Sequence, residues 1–312
     1  MNDPGHDIST ALIEQGFWAP PECPYLEIRS TVDSRKPYAA HFHSGFSLGL
    51  ILGGRTRFVC GREEHLAETG DLVLIEPEMV HNCNPVDGEA RSYHMLHLDR
   101  NWCLDLAARS PDSTLRLKKR VLKDKDVFGQ ISRFVEKVQK GIFEDEAAFA
   151  ALVGRLLKDL SAEAAGPSEE SGGRRLLERF AVEMLFSPKQ NVGFVEDIAF
   201  TGRGMTATEA QIALAGNLEN PLPVVEVARR LGLRRESFIR RFRRGRGLTP
   251  GAFQQCLRLL EGRRLLRQGH SIAEAAAAAG YADQSHFHRM FVRYFSATPR
   301  QYRLNRSLFY KK

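Results

Sequence analysis

The chain has 312 residues, with 45 Lys+Arg against 38 Asp+Glu and 43% hydrophobic residues, enough for two domains that each bury a core. Its five cysteines (Cys23, Cys60, Cys83, Cys103 and Cys256) are odd in number and lack a CxxC pair, which excludes a disulfide framework or zinc module and fits a reducing cytoplasm. The start, MNDPGHDISTALIEQGFW, has no basic stretch leading into an apolar core, and no apolar run reaches membrane-helix length, so a cytoplasmic protein without a membrane partner is expected.

Residues Arg29 to Leu98 read as β-structure. Phe46, Leu48, Leu50 and Leu52 alternate, Gly53-Gly54 makes a turn, and a strand resumes over Arg57 to Cys60. Gly70-Asp71 turns into Leu72 to Ile75, closed by Pro77, and Tyr93 to Leu98 forms a further strand. Short strands at this spacing predict a small antiparallel barrel or sandwich.

Helical periodicity follows from Val127 to Leu160, in two amphipathic stretches that either cover the barrel or form a dimer contact. Ser161 to Gly173, SAEAAGPSEESGG, is small, polar and acidic, and reads as a linker. A helix near Arg175 to Phe186 and another near Ala207 to Leu218, stopped by Pro221, precede the C-terminal segment.

That segment repeats one pattern with an offset of 48 to 49 positions. Val224, Ala228, Gly232, Phe238, Phe242, Gly247, Thr249 and Pro250 are answered by Ile272, Ala276, Gly280, Phe287, Phe291, Ser296, Thr298 and Pro299. Each copy reads as an apolar helix, a turn at glycine and a second helix carrying an aromatic pair four residues apart. Between the copies, Gly251 to Gln268 forms one amphipathic helix. From Pro221 to Lys312 the chain holds 20 Lys+Arg against 5 Asp+Glu, whereas the other residues hold 25 against 33. Charge so divided predicts a polyanion partner for the C-terminal third alone.

With the phenylalanines in the core, Arg235, Glu236, Ile239 and Arg240 take the outward face of the first inserting helix, and Gln284, Ser285, His286 and Arg289 that of the second. Arg244 and Arg293 lie further along, in positions suited to phosphate contacts. A rigid helix between the motifs, 18 residues or about 27 Å long, would hold both inserting helices near the ~34 Å repeat of successive major grooves.

GLRRESFIRRFRRGRGLTP, RRLLRQGHSIAEAAAAAGYADQSHFHRMFVRYF and TPRQYR resemble the DNA-binding signature of the AraC/XylS family of bacterial transcription regulators, over Thr206 to Arg303. Two departures stand out: Ala275 replaces a larger aliphatic, and Ser296-Ala297 replace glycine and a β-branched residue. HFHSGFSLGLILGG and GDLVLIEPEMVHNCNP resemble the cupin-type ligand-binding domain found at the N-terminus of many family members. Catalytic cupins hold a metal with an HxH pair, a glutamate and a third histidine. Here His41, His43 and His81 match, but Ser44 to Leu52 contain no glutamate, and His94 or His97 would complete a site only by unusual geometry.

The resemblance implies an α+β protein: a cupin-like β-barrel with trailing helices (1–165), a connector (166–205), and an all-α domain with two helix-turn-helix motifs joined by a linker helix (206–312). It implies a ligand-responsive, sequence-specific regulator, more often an activator, and not an enzyme. The implied partners are double-stranded promoter DNA, RNA polymerase, a small-molecule effector and, through the 127–160 helices, a second copy in a homodimer. No cofactor and no metal are expected; His41, His43, Phe46, His81 and Tyr93 are the candidate ligand-binding residues, with Arg57 and Phe58 as further lining. Two alternatives compete: a metal-dependent cupin enzyme fused to a DNA-binding module, and a non-specific nucleic-acid packaging protein.

Overall fold

A computed structural model describes residues 14–61, 63–110, 116–161 and 207–307. The expected connector, including the helix near Arg175, lies outside these described residues.

Within them, the N-terminal strands form two facing antiparallel sheets, a flattened version of the expected barrel. One sheet carries β1 (Glu14–Trp18), β2 (Leu26–Ser34), β8 (Arg91–Leu98), β3 (Phe46–Gly53), β6 (Leu72–Ile75) and β9 (Val121–Leu122) in that order. The other orders β5 (Glu63–Glu68), β4 (Arg55–Cys60) and β7 (His81–Pro85).

Period-two alternation decides what each face of the large sheet does. Leu26, Ile28, Leu48, Leu50, Leu72, Leu74, Leu96 and Leu98 share one buried face. Against it pack α1 (Arg100–Leu106), α2 (Lys125–Gln139) and α3 (Glu146–Leu160), through Leu104, Ile131, Phe134, Val135, Phe149 and Val153. Rings of Phe134 and Phe149 stack at 3.9 Å. The apolar stripes of α2 and α3 thus serve the sheet. Phe46, expected in the ligand pocket, is in step with Leu48 and Leu50 and belongs to this helix-covered core instead. Arg57 is likewise not lining; it is exposed and paired with Glu64 at 3.2 Å. Phe58 is fully buried in a third cluster, with Ile51, Val73 and Ile75.

The helical half contains α4 (Ala207–Ala215), α5 (Val224–Arg230), α6 (Arg235–Arg246), α7 (Pro250–Arg267), α8 (Ile272–Ala278), α9 (Gln284–Phe295) and α10 (Pro299–Ser307). Its repeat is structural as well as textual. The turn glycines Gly232 and Gly280 have φ of 62° and 74°, the left-handed region where an L side chain is strained. The inserting helices α6 and α9 end on left-handed residues, Gly247 at 77° and Ser296 at 49°. Both helices bury their aromatic pairs edge-to-face, Phe238 with Phe242 at 5.7 Å and Phe287 with Phe291 at 5.4 Å.

Local chemistry fixes the ends of the helices. Thr249 caps α7 with Pro250 in its first turn, Ser271 and Glu274 form a capping box on α8, and Asp283 accepts from the His286 amide at 2.6 Å to cap α9. Gly262, midway along α7, lets α9 approach: a Cβ there would lie 2.6 Å from Phe287 Cε2.

The halves are docked. Phe42 stacks on Phe253 at 5.3 Å, Phe17 meets Tyr302 edge-on at 5.0 Å, and Gln15 Nε2 donates to the Ser296 carbonyl at 2.8 Å. Val80 lies against Gly247. The sheet domain therefore touches the ends of both inserting helices and the α7 strut between them.

Candidate functional site

Two sites emerge, one on the surface of the helical half and one between the halves. On α6, Arg235, Glu236, Arg240 and Arg244 are exposed and Ile239 is half-buried; on α9, Gln284, Ser285, Arg289 and Arg293 are exposed. His286 is half-buried, its ring edge-on to Tyr281 at 5.2 Å. Every expected DNA contact thus sits on an inserting helix, and the core positions between them hold the phenylalanines. Arg258 locks α7 to the turn after α8 by donating to the carbonyls of Ala279 (2.8 Å) and Gly280, with its guanidinium 4.1 Å over the Tyr281 ring. A strut fixed this way holds the two reading helices as one unit.

The second site is a cavity of about 730 Å³, including solvent at its mouth, between the inward face of the large sheet, the small sheet and the helical half. Strand alternation supplies Glu27 and Arg29 from β2, and Tyr93, Met95 and His97 from β8. His41, His43, His81 and Tyr93 line it. Arg263, Phe295 and Tyr302 close it from the helical half.

His41, His43 and His81 bring one ring nitrogen each within 4.8 Å of one another. His41 Nδ1 bonds the Ala39 carbonyl at 2.7 Å and His81 Nδ1 the Met79 carbonyl at 2.8 Å, which leaves both Nε2 atoms for the cavity. Burial drives all three rings toward the neutral form, His81 to about 4 and the other two well below the usual range. The metal set of catalytic cupins is incomplete here in a specific way. Ser47 stands on β3 opposite His97 of β8, and the two side chains bond at 3.1 Å. Glu27, the carboxylate of the lining, is engaged elsewhere, and Arg29 acts electrostatically against protonation of His41, as Arg263 does at His43. Three buried, neutral imidazoles, with Glu27 engaged elsewhere, do not match the glutamate-containing set of catalytic cupins. His94 does not contribute; it bonds Ser30 Oγ at 2.6 Å.

Glu27 is fully buried and receives Tyr302 Oη at 2.7 Å, Arg267 at 3.5 Å and Arg263 at 3.6 Å, all from the helical half. Burial pushes its carboxyl up, but Arg263 and then Arg267 outweigh this and hold it at about 2. Cys83, in the wall, is pushed up to about 11 by burial, and Cys60 to about 12, so neither offers the thiolate a redox sensor needs.

Residues 24–177 match the AraC-like ligand binding domain, and residues 227–305 match a helix-turn-helix domain. The chain belongs to the AraC family of transcription regulators. It is a ligand-binding, DNA-reading regulator built on the two-domain plan of that family. It is 24% identical over 251 residues to the uncharacterized HTH-type transcriptional regulator YbfI of Bacillus subtilis, spanning 79% of this chain and 80% of that one. It is 37% identical over 81 residues to the HTH-type transcriptional activator RhaS of Salmonella arizonae, but this spans 26% of the chain and 29% of that protein. The fold is similar to apo ToxT from Vibrio cholerae, with a TM-score of 0.51 at 13% identity over 90% of this chain and 97% of that one. No helix among the described residues is long and apolar enough to cross a membrane.

The sequence did not single out Glu27, Arg29, Tyr38, Arg263 and Tyr302, and His97 entered only as a metal ligand requiring unusual geometry. One signal was available for the first two: in LEIRST, a charged residue falls at every second position of an otherwise apolar strand start, which marks a polar inward face. Arg263 and Tyr302 carry no such mark, because their role exists only across the domain contact.

Proposed function

We propose that the cavity is the effector site and that its occupancy is transmitted to the two reading helices. The observation that supports this is the composition of the cavity wall: Arg263, Phe295 and Tyr302 belong to the DNA-reading half, and Glu27 ties two of them to β2. An effector that binds beside Glu27 meets the strut α7 and the end of α9 directly. It shifts the balance between docked and released arrangements by its differential affinity for them. His41, His43, His81 and Tyr93 contact the effector from the sheet side.

On the DNA, α6 and α9 enter adjacent major-groove segments of a promoter. Arg235, Glu236, Ile239 and Arg240 read one segment, and Gln284, Ser285, His286 and Arg289 the other, while Arg244 and Arg293 hold phosphates. The regulator acts in the cytoplasm as an activator that recruits RNA polymerase. Two reading helices on one chain serve two groove segments; a homodimer would double the protected operator, which footprint length reveals.

The test is fluorescence anisotropy of the full chain on fragments selected by its own binding. Arg240→Ala and Arg289→Ala are each expected to lose roughly 1–3 kcal/mol of discrimination against mismatched sites. Tyr302→Phe, which frees one bond to Glu27, is expected to change DNA affinity although it touches no reading residue. Unchanged specificity in both arginine variants would overturn the assigned reading faces.

A further inference from the structure

Glu27 is the one carboxylate among the described residues lining the cavity, and Arg263, Arg267 and Tyr302 already engage it. Two positions along the same strand face, Arg29 has no such partner. It is 8% exposed, its Nη2 donates to the Tyr38 hydroxyl at 2.7 Å, and its Nε bonds nothing among the described residues. No described carboxylate lies at ion-pair distance from it. Arg91, 1% exposed, is used differently: it donates to Thr56 Oγ1 and, at 2.6 Å, to the Cys83 carbonyl, and so belongs to the wall. Both guanidiniums face the Tyr38 ring, Arg29 at 5.1 Å and Arg91 at 5.3 Å.

The lining therefore holds three guanidiniums against one carboxylate, and the four histidines beside them add no anion. A buried cation without a counter-ion is destabilising unless something supplies the missing charge. The π-faces of Tyr38 and Phe17 attract Arg29 but do not neutralise it. A planar guanidinium with a free edge pairs best with an oxyanion of matching fork geometry. Around it, Ile51, Val73, Met95 and Phe17 offer apolar surface.

We propose that the effector is an organic acid whose carboxylate pairs with Arg29 and whose hydrocarbon body rests on Ile51, Val73 and Met95. This rests on the cavity being the effector site. An anion in that position also lies in the field of Arg263, so it competes with Glu27 for the residue that docks α7.

The test uses the full chain, with thermal unfolding and calorimetric titration in acetate, hexanoate and benzoate, against hexanamide, benzamide and phenyl phosphate at matched ionic strength. At least one carboxylate is expected to raise the melting temperature saturably and to bind about tenfold or more tightly than its amide. Arg29→Gln is expected to erase that preference while the unliganded variant melts no lower than the native chain, since a buried uncompensated charge has been removed. A merely structural arginine would instead lower it. Arg29→Lys, charged but without the fork, is expected to keep part of the preference.

Amides binding as well as acids, a preference that survives Arg29→Gln, or no shift with any carboxylate would each overturn the proposal. Tighter binding of phenyl phosphate than of every carboxylate would overturn the carboxylate assignment. DNA anisotropy recorded in parallel separates the two layers. Carboxylate binding at Arg29 without any change in DNA affinity would sink the effector reading and leave the anion seat standing. No carboxylate binding, with DNA affinity still altered by Tyr302→Phe, would do the reverse.

Discussion

Ser296 occupies a position that favours glycine. Its φ of 49° matches that of Gly247 in the first motif, but a side chain in the left-handed region costs roughly 1–2 kcal/mol. Ser296→Gly is therefore expected to raise stability by about 1 kcal/mol in urea unfolding, less the added freedom of the unfolded chain. The histidines make a second residue-scale prediction. His41, His43, His81 and His97 all have lowered pKa values, through burial first, with His97 at about 3 and His81 at about 4. Between these values and the ordinary 6.5, the unfolded chain holds protons that the folded chain does not. Stability is thus expected to fall as pH drops below 6.5, by about 1.4 kcal/mol per unit for each ring that stays neutral. Glu27 contributes mostly later, as pH falls from 4.5 toward about 2, so a urea series between pH 7 and 5 reports chiefly the histidines, His94 among them. His81→Gln should flatten that slope by about one proton. Metal analysis of the purified chain is expected to give well under one equivalent of iron, manganese or zinc, unaltered by His41→Ala; a stoichiometric ion lost in that variant would restore the enzyme alternative.

At the scale of elements, the double motif depends on how closely α7 receives α9. Gly262 is the point of contact, with Phe287 fully buried above it. Gly262→Ala places a Cβ inside the ring's contact distance and is expected to cost about 1–3 kcal/mol through overpacking. Because the clash tilts α9 and leaves α6 in place, footprinting should show the second half-site weakened before the first. Equal loss at both would mean that the strut deforms as a whole. The α-helical punctuation of this half was legible in sequence because it is local: Ser271, Asp283, Thr249 and Pro250 act within a turn of where they stand. The strands were less so. β1, β5 and β7 lie at sheet edges and carry charged or polar residues, so they lack the apolar patterns that revealed β3 and β6.

For the whole molecule, Glu27 is the buried link between the two halves. Arg263 and Arg267 sit on α7 and Tyr302 on α10, so removing one carboxylate unpairs two guanidiniums across the domain contact. Glu27→Gln is expected to weaken docking by several kcal/mol, as breaking a buried pair does, while each half keeps its own core. Small-angle scattering should show a larger radius of gyration, and hydrogen exchange should rise at β1, β2 and α10 but not at Phe238 or Phe287. If exchange rises throughout the helical core, the contact is part of one cooperative unit and not a releasable latch.

The sequence by itself determined the elements whose causes are local or periodic: the repeated helix-turn-helix, its caps, its aromatic pairs, the exposed basic faces of the paired helices and the histidine pair at the sheet edge. It also pointed to an N-terminal sheet half through strand alternation and to a C-terminal helical half through the repeat, with the charge division marking the second as the basic one. Only the tertiary structure decided which face of each strand looks inward, and so placed Phe46 under the helices and Arg29 in the cavity. It alone brought Glu27 to Tyr302, 275 positions apart, because a contact between residues so distant depends on how two finished domains meet, which no spacing along the chain encodes.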